Sequence, residues 1–329
     1  MSIASEIQRI KTNIANAYTQ ANEKGATLPE QQNSANLAST IESISSGGGL
    51  NIQHGIIPKA VDEDGYIIEK EVIGLTELSN YAMYNYNNNS ENIKLEKVTL
   101  PANLTKIGNY AFDSCTELNN VNIPSTLQEI GNYAFRNTKI SRVTLPASLK
   151  NDYDAVGRYT FYNCDELEEI NIIQNNDYVK VVDGALCLKN YYTSSGRNYE
   201  TSLINKYPSK RNATSCSIES VASSVLDKAF ANATMLETIT LNLSKGPSTV
   251  QNYTIFSQAF YNCTNLEKLI LKTTAQVISL SNVNAFTGTK IANGEGYIFV
   301  PDALLSNYKS ATNWSTFANQ IKPLSELEW

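Results

Sequence analysis

A recurring dipeptide, a small residue followed by phenylalanine, restricts the fold of this 329-residue chain more than any other feature. Successive copies are separated by 29, 23, 26, 69, 30 and 26 residues. A regular period of this length is typical of repeat proteins, in which each unit buries its apolar side only against its neighbours. The repeated position is occupied by Met83, Phe112, Phe135, Phe161, Phe230, Phe260 and Phe286.

Apolar residues alternate with other residues a few positions after each phenylalanine. Val121 and Ile123 form one such pair, and Ile170 and Ile172 form another. Alternation with a period of two predicts one short strand in each repeat. One strand per repeat of about 23 residues is typical of leucine-rich repeats. Because the longest interval, 69, is three times 23, we expect insertions or degenerate copies between Phe161 and Phe230.

The repeats also share a longer string, which reads L-x-x-I-G-x-Y-A-F-x-x-C-x-x-L-x-x-V-x-I-P. It resembles the BspA-like, or treponemal, type of leucine-rich repeat, and the resemblance covers roughly residues 74–329. The resemblance implies a hairpin insertion bounded by residues 182–186 and 203–208, which would explain the long interval. It also implies a terminal cap over residues 297–321, which would protect the last strand edge.

Residues 1–46 carry a different pattern. Apolar residues spaced 4, 3, 4, 3 and 4 apart occupy the a and d positions of almost three heptads, which predicts a coiled coil. Isoleucine at both positions favours three or four strands, and we expect a homotrimer through residues 1–24. The alternative is that this stripe packs on the same chain. The stripe consists of Ile3, Ile7, Ile10, Ile14, Ala17 and Ala21.

These patterns predict an α+β chain with three parts. Residues 1–46 form a helical oligomerisation or anchoring unit, residues 47–73 a glycine-rich linker with the first strands, and residues 74–329 the capped leucine-rich-repeat solenoid. The first part, with S-E-I-Q-R-I-K-T-N-I and K-G-A-T-L-P, resembles the N-terminal segment of phage and prophage tail-associated proteins of Gram-positive bacteria.

Composition argues against several classes of function. The net charge of −6 leaves no basic surplus for phosphate neutralisation, so no nucleic-acid partner is expected. The single histidine, His54, argues against metal sites built from several histidines. The turn at residues 62–65, D-E-D-G, lacks the further spaced oxygens of a calcium loop. We therefore predict no catalytic, cofactor-binding or metal-ligating residues.

Two further repeat positions have structural interpretations. Cys115, Cys164 and Cys263 lie three residues after a phenylalanine, where other copies have threonine or alanine, which predicts packed thiols. Cys187 and Cys216 lie outside this register, and whether they pair is left open. Asparagines two residues after the phenylalanine suit a tight turn, since the amide can satisfy local backbone groups. They are Asn137, Asn163, Asn232 and Asn262.

Tyrosines two residues before the phenylalanine are the candidate binding residues. Later copies have Lys228, Gln258 and Asn284 there, so the position tolerates polar side chains and is at least partly exposed. Four consecutive rings along one edge suit contacts to protein or sugar, or they stabilise the solenoid by stacking on one another. These residues are Tyr81, Tyr110, Tyr133 and Tyr159.

The leading functional hypothesis follows from the N-terminal resemblance. It is a tail protein of a phage, a prophage or a phage-tail-like particle, of the tail-fibre or receptor-binding type. The expected partners are tail or baseplate proteins and a receptor on the bacterial cell surface, either a protein or a glycan. No secretion signal and no membrane-spanning run is visible, which suits a virion tail protein assembled in the cytoplasm and released by lysis. The alternative is a bacterial surface adhesin, and a third possibility is a depolymerising enzyme on the same scaffold.

Overall fold

The computed structural model describes residues 55–85, 94–149, 155–174, 178–194, 197–219, 224–243, 253–273 and 276–328. Residues Ile57–Trp329 form one compact unit. The predicted coiled coil over residues 1–24 and the rest of the unit 1–46 lie outside the described residues, as does His54. The helical part of the α+β prediction therefore stays a prediction.

The described residues form a solenoid of short strands. In chain order they are β1 (Gly55–Val61), β2 (Ile67–Ile73), β3 (Glu77–Leu78), β4 (Lys97–Thr99), β5 (Lys106–Ile107), β6 (Asn120–Val121), β7 (Glu129–Ile130), β8 (Arg142–Leu145), β9 (Glu169–Ile172), β10 (Val179–Val182), β11 (Ala185–Ser194), β12 (Arg197–Lys206), β13 (Ser215–Glu219), β14 (Ser224–Val225), β15 (Thr238–Asn242), β16 (Thr254–Ile255), β17 (Lys268–Leu271), β18 (Ser279–Leu280), β19 (Tyr297–Val300) and β20 (Ile321–Pro323).

Most coils of the solenoid contribute two strands rather than the one that the sequence predicts. The predicted strands after the phenylalanine pair in parallel with their counterparts in neighbouring coils, within the separate groups β2–β4–β6, β8–β9 and β13–β15–β17–β19–β20. A second strand of two residues precedes most of the phenylalanines and pairs in the same way, as in β3–β5–β7 and β14–β16–β18, whereas a single bridge of Val156 to Ile130 precedes Phe161. Two residues are too few to show a period, so the sequence does not predict this second row of strands.

The repeated phenylalanines stack along the core of the solenoid. Ring centroids lie 5.1 Å apart for Phe112 and Phe135, and 5.3 Å apart for Phe260 and Phe286. These distances are close to the spacing of about 4.8 Å between neighbouring strands, so coil stacking itself places one ring on the next. After the long interval Tyr207 stacks on Phe230 at 5.3 Å and takes the place of a phenylalanine, which the repeat pattern of the sequence does not predict.

The long interval contains the hairpin that the resemblance implies. Strands β11 and β12 have ten residues each and pair antiparallel. The first pair is Leu186 with Lys206 and the last is Ser194 with Arg197. At its base the hairpin joins the solenoid, because β12 pairs in parallel with β14. The insertion is therefore anchored in the second row of strands.

The C-terminal residues cap the edge strand β18, as predicted. The cap includes one helix, α1 (Leu305–Ser310), followed by a 3-10 turn at Trp314–Phe317. Tyr308 Oη accepts a hydrogen bond from the backbone N–H of Ile278 at 3.0 Å, and Trp314 Nε1 donates one to the Ile278 carbonyl at 2.6 Å. Asn313 Nδ2 donates to the Leu280 carbonyl at 2.7 Å. Side chains thus satisfy backbone groups that another coil would otherwise pair.

No helix among the residues described is long and apolar enough to cross a membrane.

Candidate recognition surface

The turn before Phe112 and Phe135 has the sequence G-N-Y-A-F, and the turn before Phe161 has the related sequence G-R-Y-T-F. Their glycines allow adjacent coils to approach closely: a Cβ on Gly131 would lie 2.5 Å from the backbone nitrogen of Asn109. Gly108 and Gly157 are equally crowded by the backbone of the preceding coil. Such contacts leave no room for a side chain, so glycine is required by distance here.

In three turns of this kind, the asparagine that directly precedes the tyrosine bonds to the next coil. Asn80 Oδ1 accepts the backbone N–H of Asn109 at 2.8 Å, and Asn109 Oδ1 accepts that of Asn132 at 2.7 Å. Asn132 Oδ1 continues the series with the backbone N–H of Arg158 at 2.7 Å. The sequence signal for this row is an asparagine directly before three of the four tyrosines, Tyr81, Tyr110 and Tyr133.

The four predicted tyrosines form a self-stacked row, here called the tyrosine ladder. Each has a positive φ between 56° and 61°, the left-handed conformation that asparagine and glycine more commonly adopt. Ring centroids are 5.0 Å apart for Tyr81 and Tyr110, 5.0 Å for Tyr110 and Tyr133, and 5.1 Å for Tyr133 and Tyr159. The structure thus shows the stacking interpretation, while a binding role stays a prediction.

Stacking decides which part of each ring a ligand can reach. The planes of Tyr81 and Tyr110 differ by 5° and those of Tyr110 and Tyr133 by 10°, so the ring faces cover one another. Tyr110, Tyr133 and Tyr159 are half-buried, whereas Tyr81, at the end of the row, is 54% exposed. The accessible surface therefore consists mainly of ring edges and hydroxyl groups.

A buried ion pair supports the middle of the ladder. The side chain of Asp113 is fully buried, and both its oxygens accept hydrogen bonds from Arg136, at 2.8 Å from Nε and 2.6 Å from Nη2. The guanidinium lies 5.6 Å from the ring centroid of Tyr110 and 5.2 Å from that of Tyr133. The fork geometry holds Arg136 beside the rings, and Asp113 neutralises its charge. This contact with Asp113 raises the pKa of Arg136 further.

The ladder ends at a cluster of polar and aromatic groups around Lys228. Tyr159 donates its phenol hydrogen to Asp227 Oδ2 at 3.0 Å. The pKa of Tyr159 is raised mainly by burial and additionally by the negative charge of Asp227. Lys228 Nζ donates to Asn163 Oδ1 at 3.0 Å. The same ammonium lies 4.9 Å from the ring centroid of Tyr162. Lys228 has a φ of 55° and occupies the repeat position of the tyrosines.

The asparagines after the phenylalanine have the structural role that was predicted. Asn137, Asn163, Asn232 and Asn262 all have a positive φ, between 56° and 62°. Their amides also bond between coils: Asn163 Nδ2 donates to Asn137 Oδ1 at 3.1 Å, and Asn262 Nδ2 to Asn232 Oδ1 at 2.9 Å. Asparagine therefore satisfies both the left-handed turn and the contact to the neighbouring coil.

The cysteines are packed thiols, as predicted. Cys115, Cys164 and Cys263 each donate to a carbonyl of the preceding coil, that of Met83, Phe135 or Phe230, at 2.9 to 3.0 Å. All five cysteines, including Cys187 and Cys216, are buried and free, so the last two do not pair in this structure. Burial raises the pKa of the thiols of Cys115, Cys187 and Cys263 to about 12.

The acidic segment at residues 62–65 is a turn. Asp62 Oδ1 accepts the backbone N–H groups of Asp64 at 3.1 Å and Tyr66 at 2.8 Å, while Asp62 Oδ2 pairs with Lys94 at 2.8 Å. The hydrogen bond from Lys94 lowers the pKa of Asp62. Across the described ranges, no group of three or more histidine, cysteine or acidic side chains is arranged to hold a metal ion.

Stacked coils with parallel strands, a phenylalanine core and inter-coil asparagine bonds define a leucine-rich-repeat protein. The sequence model of the BspA type leucine-rich-repeat region matches six copies, over residues 76–183 and 205–293. The chain therefore belongs to the BspA-type leucine-rich-repeat family. No curated protein matches the chain in sequence.

Several solved structures resemble the chain. A leucine-rich repeat protein from Eubacterium ventriosum is 19% identical, with 68% of this chain and 61% of that chain covered and a TM-score of 0.44. The pneumococcal vaccine antigen PcpA is 20% identical, with 73% and 65% covered and a TM-score of 0.48. The leucine-rich repeat protein of T. pallidum is 18% identical, with 72% and 86% covered and a TM-score of 0.33. The chain thus spans less than two thirds of the length of the first two proteins.

Proposed function

We propose that this chain is a non-enzymatic recognition protein that contacts a cell-surface macromolecule with the edge of its tyrosine ladder. The main support is that four tyrosines in adjacent coils are held in a left-handed backbone conformation and their ring centroids are stacked 5.0 to 5.1 Å apart. The ladder presents partly exposed aromatic and hydroxyl groups in a regular row.

The ladder is well suited to recognition because it is rigid before a ligand arrives. Tyrosine supplies a large contact surface with few rotatable bonds, and stacking restricts the rings further. A ligand therefore meets side chains that are already ordered, which reduces the entropic cost of binding.

We further propose that the protein carrying this surface is a phage, prophage or phage-tail-like particle tail protein. The support is the resemblance of residues 1–46 to the N-terminal segment of tail-associated proteins. A homotrimer through residues 1–24 would present three solenoids at once and raise the avidity for a repetitive cell surface. The alternative, a bacterial surface adhesin, uses the same ladder in another location.

The ladder proposal is tested with substitutions that remove hydroxyl groups and keep the stack. In the full chain, Tyr110→Phe combined with Tyr133→Phe preserves ring stacking, and Tyr297→Phe is the matched control. Tyr297 is 43% exposed but lies on β19, outside the ladder. Binding of labelled protein to a panel of Gram-positive bacterial cells should fall about tenfold for the double variant and stay unchanged for the control. Equal binding by all three proteins would overturn the proposal.

Location and assembly are tested separately. Antibody against the solenoid, followed by gold labelling in electron microscopy, should mark particle tails after lysis, and labelling of the intact cell surface alone would favour the adhesin. Light scattering should give the full chain a trimeric mass, and Ile7→Asp with Ile10→Asp should give a monomer. A monomeric unmodified chain would overturn self-assembly through residues 1–24.

A further inference from the structure

The tyrosine ladder ends in two cations near the hairpin insertion. Arg158 directly precedes Tyr159 in the chain and is exposed. Lys228 is half-buried and follows Asp227, which accepts the hydrogen bond of Tyr159. These two residues, here called the basic pair, therefore both lie next to the last tyrosine of the ladder.

The charges around the ladder differ from those of the whole chain. The chain has a net charge of −6, but among the described residues only two carboxylates, those of Asp113 and Asp227, contact the residues of the ladder and Arg136. Asp113 is fully buried and bound by Arg136 through two hydrogen bonds, and Asp227 accepts from Tyr159. In the described part of the chain, neither member of the basic pair forms an ion pair. Because the phenol of Tyr159 is neutral, Asp227 keeps its negative charge, and the two cations of the basic pair exceed it by one positive charge.

The ammonium of Lys228 is positioned by its neighbours rather than freely mobile. Its Nζ atom lies 4.9 Å from the ring centroid of Tyr162 and 5.9 Å from that of Tyr261. It makes one hydrogen bond, of 3.0 Å, to Asn163 Oδ1. An ammonium has three donors, so two remain for a ligand. Cation–π contacts and one neutral acceptor hold the group without neutralising its charge.

We propose that the basic pair binds an anionic group, a carboxylate or phosphate, of a cell-surface glycan polymer. This inference rests on the function proposed above. The row of phenol edges would contact the hydroxyl groups of the same polymer. A glycan fits better than a protein because stacking covers the ring faces of Tyr110 and Tyr133, which removes the apolar surface that protein hot spots use. The exposed groups are hydroxyls and cations, which match a polar, negatively charged polymer.

The test compares polymers of different charge with the full chain. The probes are immobilised poly(glycerol phosphate), polygalacturonate and dextran. Lys228→Gln is the main variant, since Gln258 occupies the same repeat position with the same φ of 55°, so glutamine fits this turn. Arg158→Gln is the second variant, and Lys139→Gln, an exposed lysine paired with Glu117, is the control.

The chain should bind at least one of the two anionic polymers and bind dextran much more weakly. Each basic-pair variant should weaken binding about tenfold, because a charge-assisted hydrogen bond is lost, whereas the control should not. Raising salt from about 0.05 M to about 0.5 M should weaken binding by the unmodified chain more than by Lys228→Gln. Preference for poly(glycerol phosphate) would identify a phosphate ligand, and preference for polygalacturonate a carboxylate.

Three results would overturn this inference. The chain could bind dextran as tightly as the anionic polymers, or the basic-pair variants could bind both anionic polymers as tightly as the unmodified chain. Cell binding could also be lost when the cells are treated with protease. The two proposals can fail separately. If Tyr110→Phe with Tyr133→Phe reduces cell binding but the basic-pair variants do not, the ladder function stands and the anionic-ligand inference is wrong.

Discussion

Tyr159 and Asp227 are hydrogen-bonded at 3.0 Å although 68 positions separate them in the chain. The bond joins the last coil of the tyrosine ladder to the coil that follows the hairpin insertion. Lys228 makes a second connection in the same place through Asn163 Oδ1. The ladder and the second half of the solenoid are thus joined by polar contacts as well as by the strands.

Tyr159→Phe should lower the free energy of unfolding by about 1.5 kcal/mol, because a hydrogen bond to a charged acceptor is lost while the ring stack remains. Asp227→Asn should cost less, since the amide oxygen still accepts the phenol hydrogen. Urea unfolding followed by circular dichroism measures both. Tyr297→Phe on the exposed face of β19 is the control, and an equal loss in the control would contradict this role of the bond.

Gly131→Ala should destabilise the solenoid by about 2 kcal/mol, because the added Cβ would lie 2.5 Å from the backbone of Asn109 and adjacent coils must move apart. Gly65→Asn is the matched control, since Gly65 has open space around it and asparagine tolerates its φ of 80°. Thermal unfolding of both variants checks the prediction. A similar loss at both positions would show that backbone conformation rather than coil spacing sets the cost.

The sequence predicted the solenoid because its signals are repeated. The phenylalanine position, the following strand and the asparagine turn each occur in several copies, so the pattern of one coil supports the next. The second strand of each coil was missed because two residues carry no period. Tyr207 was missed in the core because the insertion breaks the register that would have aligned it with Phe230.

The candidate site was predictable in its residues but not in its environment. The recurrence of Tyr81, Tyr110, Tyr133 and Tyr159 marked the ladder. Their left-handed backbone and the contacts of Arg136 and Asp113 depend on how coils stack, which no single repeat encodes. The basic pair was also hidden, because Lys228 and Tyr159 come together only after the chain has passed through the insertion.

Lys206→Met should stabilise the protein by about 1–3 kcal/mol, because an apolar side chain replaces a polar group that is only 2% exposed. Burial lowers the pKa of Lys206 in the native protein below its usual 10.5. Between the native and the unfolded pKa, the unfolded chain therefore binds more protons than the native protein. The stability of the unmodified protein relative to the variant should therefore rise with pH toward 10.5. Urea unfolding at several pH values measures this difference, and a constant difference would contradict a titrating Lys206.

The five thiols should react with Ellman's reagent only after unfolding. All are buried, and burial raises the pKa of Cys115, Cys187 and Cys263 to about 12, so little thiolate forms at neutral pH. Five equivalents should react in denaturant and almost none without it. Rapid reaction of the native protein would show that a coil opens readily at one of the cysteines.

Trp314→Phe should lower the free energy of unfolding by about 2–3 kcal/mol, since it leaves the Ile278 carbonyl without its donor and creates a small cavity beside Tyr308. Tyr308→Phe removes the acceptor for the Ile278 N–H, so both variants release the edge of β18. Because the two side chains serve one residue, the double variant should lose less than the sum of the single losses. Circular dichroism in urea measures stability, and light scattering detects association through the exposed edge. Strict additivity without association would show that the cap fills volume and does not protect the strand edge.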